Sequence, residues 1–100
     1  MTRLLLLRPE AEQDLAAARD WYDQKRAGLG DEFLDVVAAT MRELMNDPQR
    51  ARLYHRAFRR VLLRRFPYKI FYQIIGERVV VFRVLHSKQE PGQGLGKFST

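Results

Sequence analysis

Four consecutive leucines, Leu4 to Leu7, open the pattern and stop short of Pro9. Proline has no amide proton to give a strand ladder but fits the first turn of a helix, so this boundary predicts a short strand leading directly into a helix. Glu10, Glu12 and Asp14 follow, where negative charge complements the positive end of a helix dipole. Ala11, Leu15, Ala18 and Tyr22 recur at intervals of four, three and four, the one-sided spacing of an amphipathic helix expected from Pro9 to about Lys25. Gly28-Leu29-Gly30 breaks the period. Asp31 then offers an N-cap with Glu32 beside it, so a second helix is expected to begin there. It carries Phe33, Val36, Val37, Thr40, Met41 and Leu44 on one face and stops at Asn46-Asp47-Pro48. So short a connection makes the two helices antiparallel neighbours.

Beyond Pro48 the pattern changes. The stretch Arg52 to Arg56 reads as a loop, and three runs rich in Val, Ile, Leu, Phe and Tyr follow: Phe58 to Phe66, Tyr68 to Ile75 and Arg78 to His86. Gly76-Glu77 is a compact turn between the last two, and Pro67 predicts a bend between the first two. Residues 87–100, with Pro91, Gly92, Gly94 and Gly96, show little period and are expected to form a loose tail. The expected fold is α+β: an N-terminal strand, an antiparallel helical hairpin, then three antiparallel strands forming a sheet packed under the helices. With no internal repeat, residues 1–100 are expected to form one domain.

Composition narrows the chemistry. A chain of 100 residues, 46% hydrophobic and 30% charged, has a globular balance. It contains no cysteine, which removes disulfides and thiolate metal or redox sites, and its two histidines, His55 and His86, fall short of the three or four ligands a zinc site needs. No metal or other cofactor is expected. The leucine run is too short for a signal peptide or a membrane span, so a cytoplasmic protein is expected. The net charge of +6 hides a strong segregation: Pro9 to Asp47 holds ten acidic and four basic residues, whereas Pro48 to Thr100 holds twelve basic and two acidic ones. Such a surface suits an anionic partner, either nucleic acid or an acidic peptide.

From Pro48 to Gly76 there is no acidic residue, while Arg50, Arg52, Arg56, Arg59, Arg60, Arg64, Arg65 and Lys69 all lie there. On an extended strand Arg60, Leu62, Arg64 and Phe66 share one face and Arg59, Val61, Leu63 and Arg65 the other, so both faces carry charge. These arginines either meet an external anion or pair with the carboxylates of the helices. His86 closes the last strand near Arg83 and Lys88. It is a candidate acid or base if a phosphodiester lies nearby, or else a hydrogen-bonded structural residue. Trp21-Tyr22 offers either a binding anchor or core and rim contacts of the helical hairpin.

This order of elements, with Phe66-Pro67-Tyr68-Lys69-Ile70-Phe71-Tyr72 and Val79-Val80-Val81-Phe82-Arg83-Val84-Leu85-His86, resembles the ParE/RelE toxins of type II toxin–antitoxin systems, often labelled plasmid stabilization proteins. The resemblance spans Leu4 to about Pro91 and includes Ala11-x-x-Asp14-Leu15 and Trp21-Tyr22. It implies a bacterial toxin held inactive by a cognate antitoxin. It also leaves two activities: RelE-like members cleave messenger RNA in the ribosomal A site without a metal, and ParE-like members inhibit DNA gyrase. On the RelE-like pattern Arg60 matches a basic strand position and Lys69 the basic residue between Tyr68 and Tyr72. The later Lys-Arg pair falls on Lys88-Gln89 and the following Tyr on Leu95. Glutamine lacks the permanent charge that arginine offers a phosphorane, and leucine has neither hydroxyl nor stacking ring. Leu85-His86 is similar instead to the strand end of ParE-like members.

The resemblance therefore favours a gyrase inhibitor that is not an enzyme. Arg59, Arg60, Arg64, Arg65, Arg83 and Lys88 are candidates for binding the target or the antitoxin. A nuclease acting on ribosome and mRNA would instead draw on Arg60, Arg64, Lys69 and His86. In either case the basic strand would steer an acidic antitoxin peptide, and an apolar sheet edge and helical groove would supply binding energy. A third reading, a basic nucleic-acid-binding module, lacks a stacking platform, since Phe66, Tyr68, Phe71 and Tyr72 read as core.

Overall fold

The computed structural model describes residues 3–89. In chain order the elements are β1 (Leu4–Leu7), α1 (Pro9–Lys25), α2 (Leu29–Asn46), β2 (Leu53–His55), β3 (Phe58–Leu62), β4 (Tyr68–Ile75) and β5 (Arg78–His86). The strands form one sheet in the order β1-β5-β4-β3-β2, antiparallel except where β1 lies parallel to β5. The α+β architecture is the expected one, with the helical hairpin on one face of the sheet.

Pro9 sets the first corner. Arg8 donates its N–H to the Val81 carbonyl at 2.9 Å as the last rung of the β1–β5 ladder, and Pro9, with no N–H to give, starts α1. The two helices meet closely at Gly30, whose N–H is capped by the Asp23 carboxylate at 2.7 Å. This corrects the expected start of α2. The helix begins at Leu29 after Gly28 in the left-handed region (φ 87°), and the side chain that caps its amide comes from α1 rather than from Asp31.

The main core lies between helices and sheet. Ala11, Ala18 and Tyr22 of α1 and Phe33, Val37, Met41 and Leu44 of α2 pack on Ile70, Tyr72, Val79, Val81 and Val84. Tyr22, Phe33, Phe66 and Tyr68 form an aromatic knot with ring centroids 4.9 to 6.1 Å apart. Burial in that knot raises the hydroxyl pKa of both Tyr22 and Tyr68. Strand alternation puts a smaller cluster of Phe58, Phe71, Phe82 and Leu85 on the opposite face of the sheet.

Three strand expectations need correction. The basic strand ends at Leu62, not Phe66: Leu63 makes one more bond to Tyr68, and then Arg65 takes a left-handed turn (φ 72°) ahead of Pro67. The stretch read as a loop contains the short strand β2, which pairs Leu53 with Arg59 and His55 with Phe58. The sheet accordingly has five strands, with β1 joining it. Of the expected loose tail, residues 87–89 form a turn in which Ser87 donates to the Pro67 carbonyl at 2.7 Å, and residues 90–100 lie outside the described residues.

Candidate functional site

The basic residues of the strand region divide among three surroundings. On the helix side, Arg59 donates to the carbonyls of Gln49 and Ala51, and Arg65 reaches the Glu32 carboxylate. Glu32 also accepts from Arg26 at 3.1 Å, and its carboxyl is held below the ordinary range, first by the Arg65 hydrogen bond and then by Arg26. On the outer face, Arg60 lies 4.4 Å over the Tyr54 ring, and Lys69 stands one register step along, opposite Leu62 and Leu85. Arg64, beyond the end of β3, is 86% exposed and passes 3.8 Å from Glu43 of α2.

A bulge decides the placement of the β5 residues. Phe71 pairs with Arg83 but Tyr72 pairs with Val81, leaving Phe82 as an extra residue on β5. Regular alternation from Val79 and Val81 would have sent His86 to the outer face beside Lys69. With the bulge, Val84 and His86 face the helices. Arg83 reaches Asp14 of α1, which accepts from its Nε at 2.7 Å and its guanidinium end at 2.9 Å and from the Val84 N–H at 2.9 Å. The Asp14 bonds hold the Arg83 pKa above its ordinary value. Asp14 thereby satisfies an amide on the β5 edge that β1 is too short to reach, a role its sequence motif did not reveal.

His86 lines a slot of about 460 Å³ between α1 and the end of β5, floored by Ala17, Ala18 and Val84 and walled by Trp21 and Tyr68. The rings of Tyr68 and His86 meet edge to face at 5.2 Å, and His86 Nδ1 accepts from the Lys88 N–H at 3.1 Å. Trp21 stays 51% exposed under the Lys25 ammonium while its neighbour Tyr22 is buried, so the dipeptide splits into rim and core. Arg60 and Lys69 thus occupy one face, His86 the other, and Arg64 a cleft against α2. Among the described residues no group of three His, Cys, Asp or Glu side chains is placed to hold a metal ion, and no helix is long and apolar enough to cross a membrane.

Residues 5–91 match the family described as the ParE toxin of the type II toxin–antitoxin system parDE. The chain belongs to the ParE toxin family. Membership implies an antitoxin partner, as type II systems pair a protein toxin with a protein antitoxin. No curated protein sequence matches the chain. Solved structures that share its fold include two toxin-system proteins. A chain of the chromosomal ParDE system from P. aeruginosa superposes with a TM-score of 0.76 at 16% identity, covering 84% of this chain and 95% of that one. The isolated E. coli RelE toxin superposes with a TM-score of 0.64, also at 16% identity, covering 97% of this chain and 99% of that one. This ParE-family chain therefore has the ParE/RelE architecture, with its basic residues distributed over two faces and a cleft.

Proposed function

We propose that this ParE-family toxin acts by binding DNA gyrase, without cutting nucleic acid, and is neutralised by its cognate antitoxin. The separation of the nuclease candidates carries the reading. Metal-independent RNA cleavage needs a base for the 2′-hydroxyl, cations on the phosphorane and an acid for the leaving oxygen, all within hydrogen-bond reach of one phosphate. The bulge at Phe82 keeps His86 on the helix side, away from Arg60 and Lys69. Arg59, Arg65 and Arg83, which belong to the binding candidates and not to the nuclease set, are engaged by main-chain carbonyls, Glu32 and Asp14 and add no free cation to a phosphate site. Gln89, at the position of the RelE-like arginine, brings no charge, and its side chain accepts from the His86 N–H at 2.7 Å.

Induced expression tests this directly. Growth arrest with DNA-damage signalling, and loss of gyrase supercoiling on adding purified toxin, are the expected results. Codon-linked cuts in messenger RNA with gyrase unaffected would overturn the proposal.

A further inference from the structure

The chain from Pro48 to Arg60 holds five arginines, Arg50, Arg52, Arg56, Arg59 and Arg60, and no carboxylate. It runs along the sheet edge as β2 and turns back into β3, and residues 52–57 are all exposed. The ion pairs of the wider basic segment, Arg64 with Glu43 and Arg65 with Glu32, lie beyond β3, and among the described residues none involves Arg52 or Arg60. Arg60 is ordered in another way, with its guanidinium 4.4 Å over the Tyr54 ring, which itself packs on Phe71 at 5.7 Å. A ring face fixes a guanidinium and leaves its charge intact, whereas a carboxylate cancels it. On the opposite face Arg59 spends its N–H groups on the Gln49 and Ala51 carbonyls, which ties the hairpin to the segment before it and again removes no charge.

We infer that the β2–β3 hairpin is a contact surface for duplex DNA, through its phosphates and without regard to base sequence. Arg52 and Arg60 are the cations assigned to phosphate, and Tyr54 is the residue that positions Arg60. Guanidinium groups suit phosphate because their planar N–H fork can bind two oxygens at once. Neutralising backbone phosphates needs exposed cations and no pocket, and the cavities of about 460 and 420 Å³ take in none of residues 52–57. A protein partner would instead call for a pocket to receive an anchor side chain. Arg60 already stacks on Tyr54, so that ring holds a cation rather than a base, which favours a duplex over a single strand. The inference rests on the gyrase reading only in naming the source of the duplex, DNA already held by the enzyme.

Fluorescence anisotropy of a labelled duplex of about 20 base pairs, titrated with the full chain free of antitoxin, tests it. Two unrelated sequences should bind alike, and affinity should fall steeply between about 50 and about 200 mM salt. Arg52→Ala and Arg60→Ala should each lower the slope of log affinity against log salt by about one, whereas Arg42→Ala on α2 should leave it unchanged. Tyr54→Leu keeps every charge, so it should preserve the slope and weaken binding about threefold through loss of the ring under Arg60. In the unaltered chain, amide NMR shifts on adding the duplex should centre on residues 52–60. Should a variant fail to fold, those shifts decide. No binding at about 50 mM salt, slopes that ignore Arg52 and Arg60, or shifts confined to other elements overturn the inference. So does tighter binding of a glutamate-rich peptide or an RNA hairpin of the same charge, which would assign the patch to an acidic protein or to RNA. If the toxin leaves supercoiling unaffected while the duplex still binds through the hairpin, the gyrase reading falls alone. If supercoiling is lost but the free chain binds no DNA, the DNA inference falls alone.

Discussion

Three donors converge on the Asp14 carboxylate: two from the Arg83 guanidinium and one from the Val84 main chain. Asp14 is 15% exposed and Arg83 23%, so removing one partner leaves the other partly buried and unpaired. Asp14→Ala is expected to cost about 2–3 kcal/mol by denaturant unfolding. Asp14→Asn retains an acceptor for the Val84 N–H and should cost less; equal losses would place the whole effect in the lost charge. The same residue shows how little of its role was legible. Its motif was visible in the sequence, but the amide it serves lies seventy positions away and is left open only because β1 stops at Leu7.

Two nearby glycines separate conformational from steric demands at the start of α2. An alanine Cβ at Gly28 would meet nothing within 4 Å, so only the left-handed backbone opposes it, whereas at Gly30 it would fall 2.5 Å from the Arg19 carbonyl of α1. Gly28→Ala should therefore cost about 1 kcal/mol. Gly30→Ala should cost more, up to about 3 kcal/mol, by pushing the helices apart. A thermal melt in which the two are equally stable would refute this ordering. Elements with strong local signals were readable, as in α1, where Pro9 and the spacing from Ala11 to Tyr22 marked both ends. Elements set from a distance were not. The start of α2 depends on Asp23, β2 is too short and exposed to show a period, and β3 ends where Arg65 turns. The same limit held for the site. Alternation sorted the arginines into two sets, but the bulge at Phe82, which moves His86 to the other face, left no mark in the sequence.

Charge is segregated along the chain, with most acidic residues on the two helices and most basic ones in the strands and turns that follow Pro48. Glu32 joins the two regions by bonding Arg65 of the β3–β4 turn and Arg26 of the helical turn. Its carboxyl is held below the ordinary 4.5 in the folded chain, so the unfolded chain takes up the proton more readily. The stability this contact contributes is present above about pH 4.5 and is lost as pH falls through the lowered folded value. The unaltered chain and Glu32→Gln should therefore differ in stability at neutral pH and converge in acid. A gap that persists unchanged at low pH would show that ionisation of Glu32 is irrelevant. The parallel pairing of β1 with β5 carries a further consequence. β1 must wait for β5, the described strand farthest from it in the chain, before it has a neighbour, so its pairing is a late and non-local event. Until then β1 has no strand beside it, and a polypeptide cut short before Arg78 leaves Leu5 and Leu7, the two leucines that the fold partly buries, without their cover and open to aggregation.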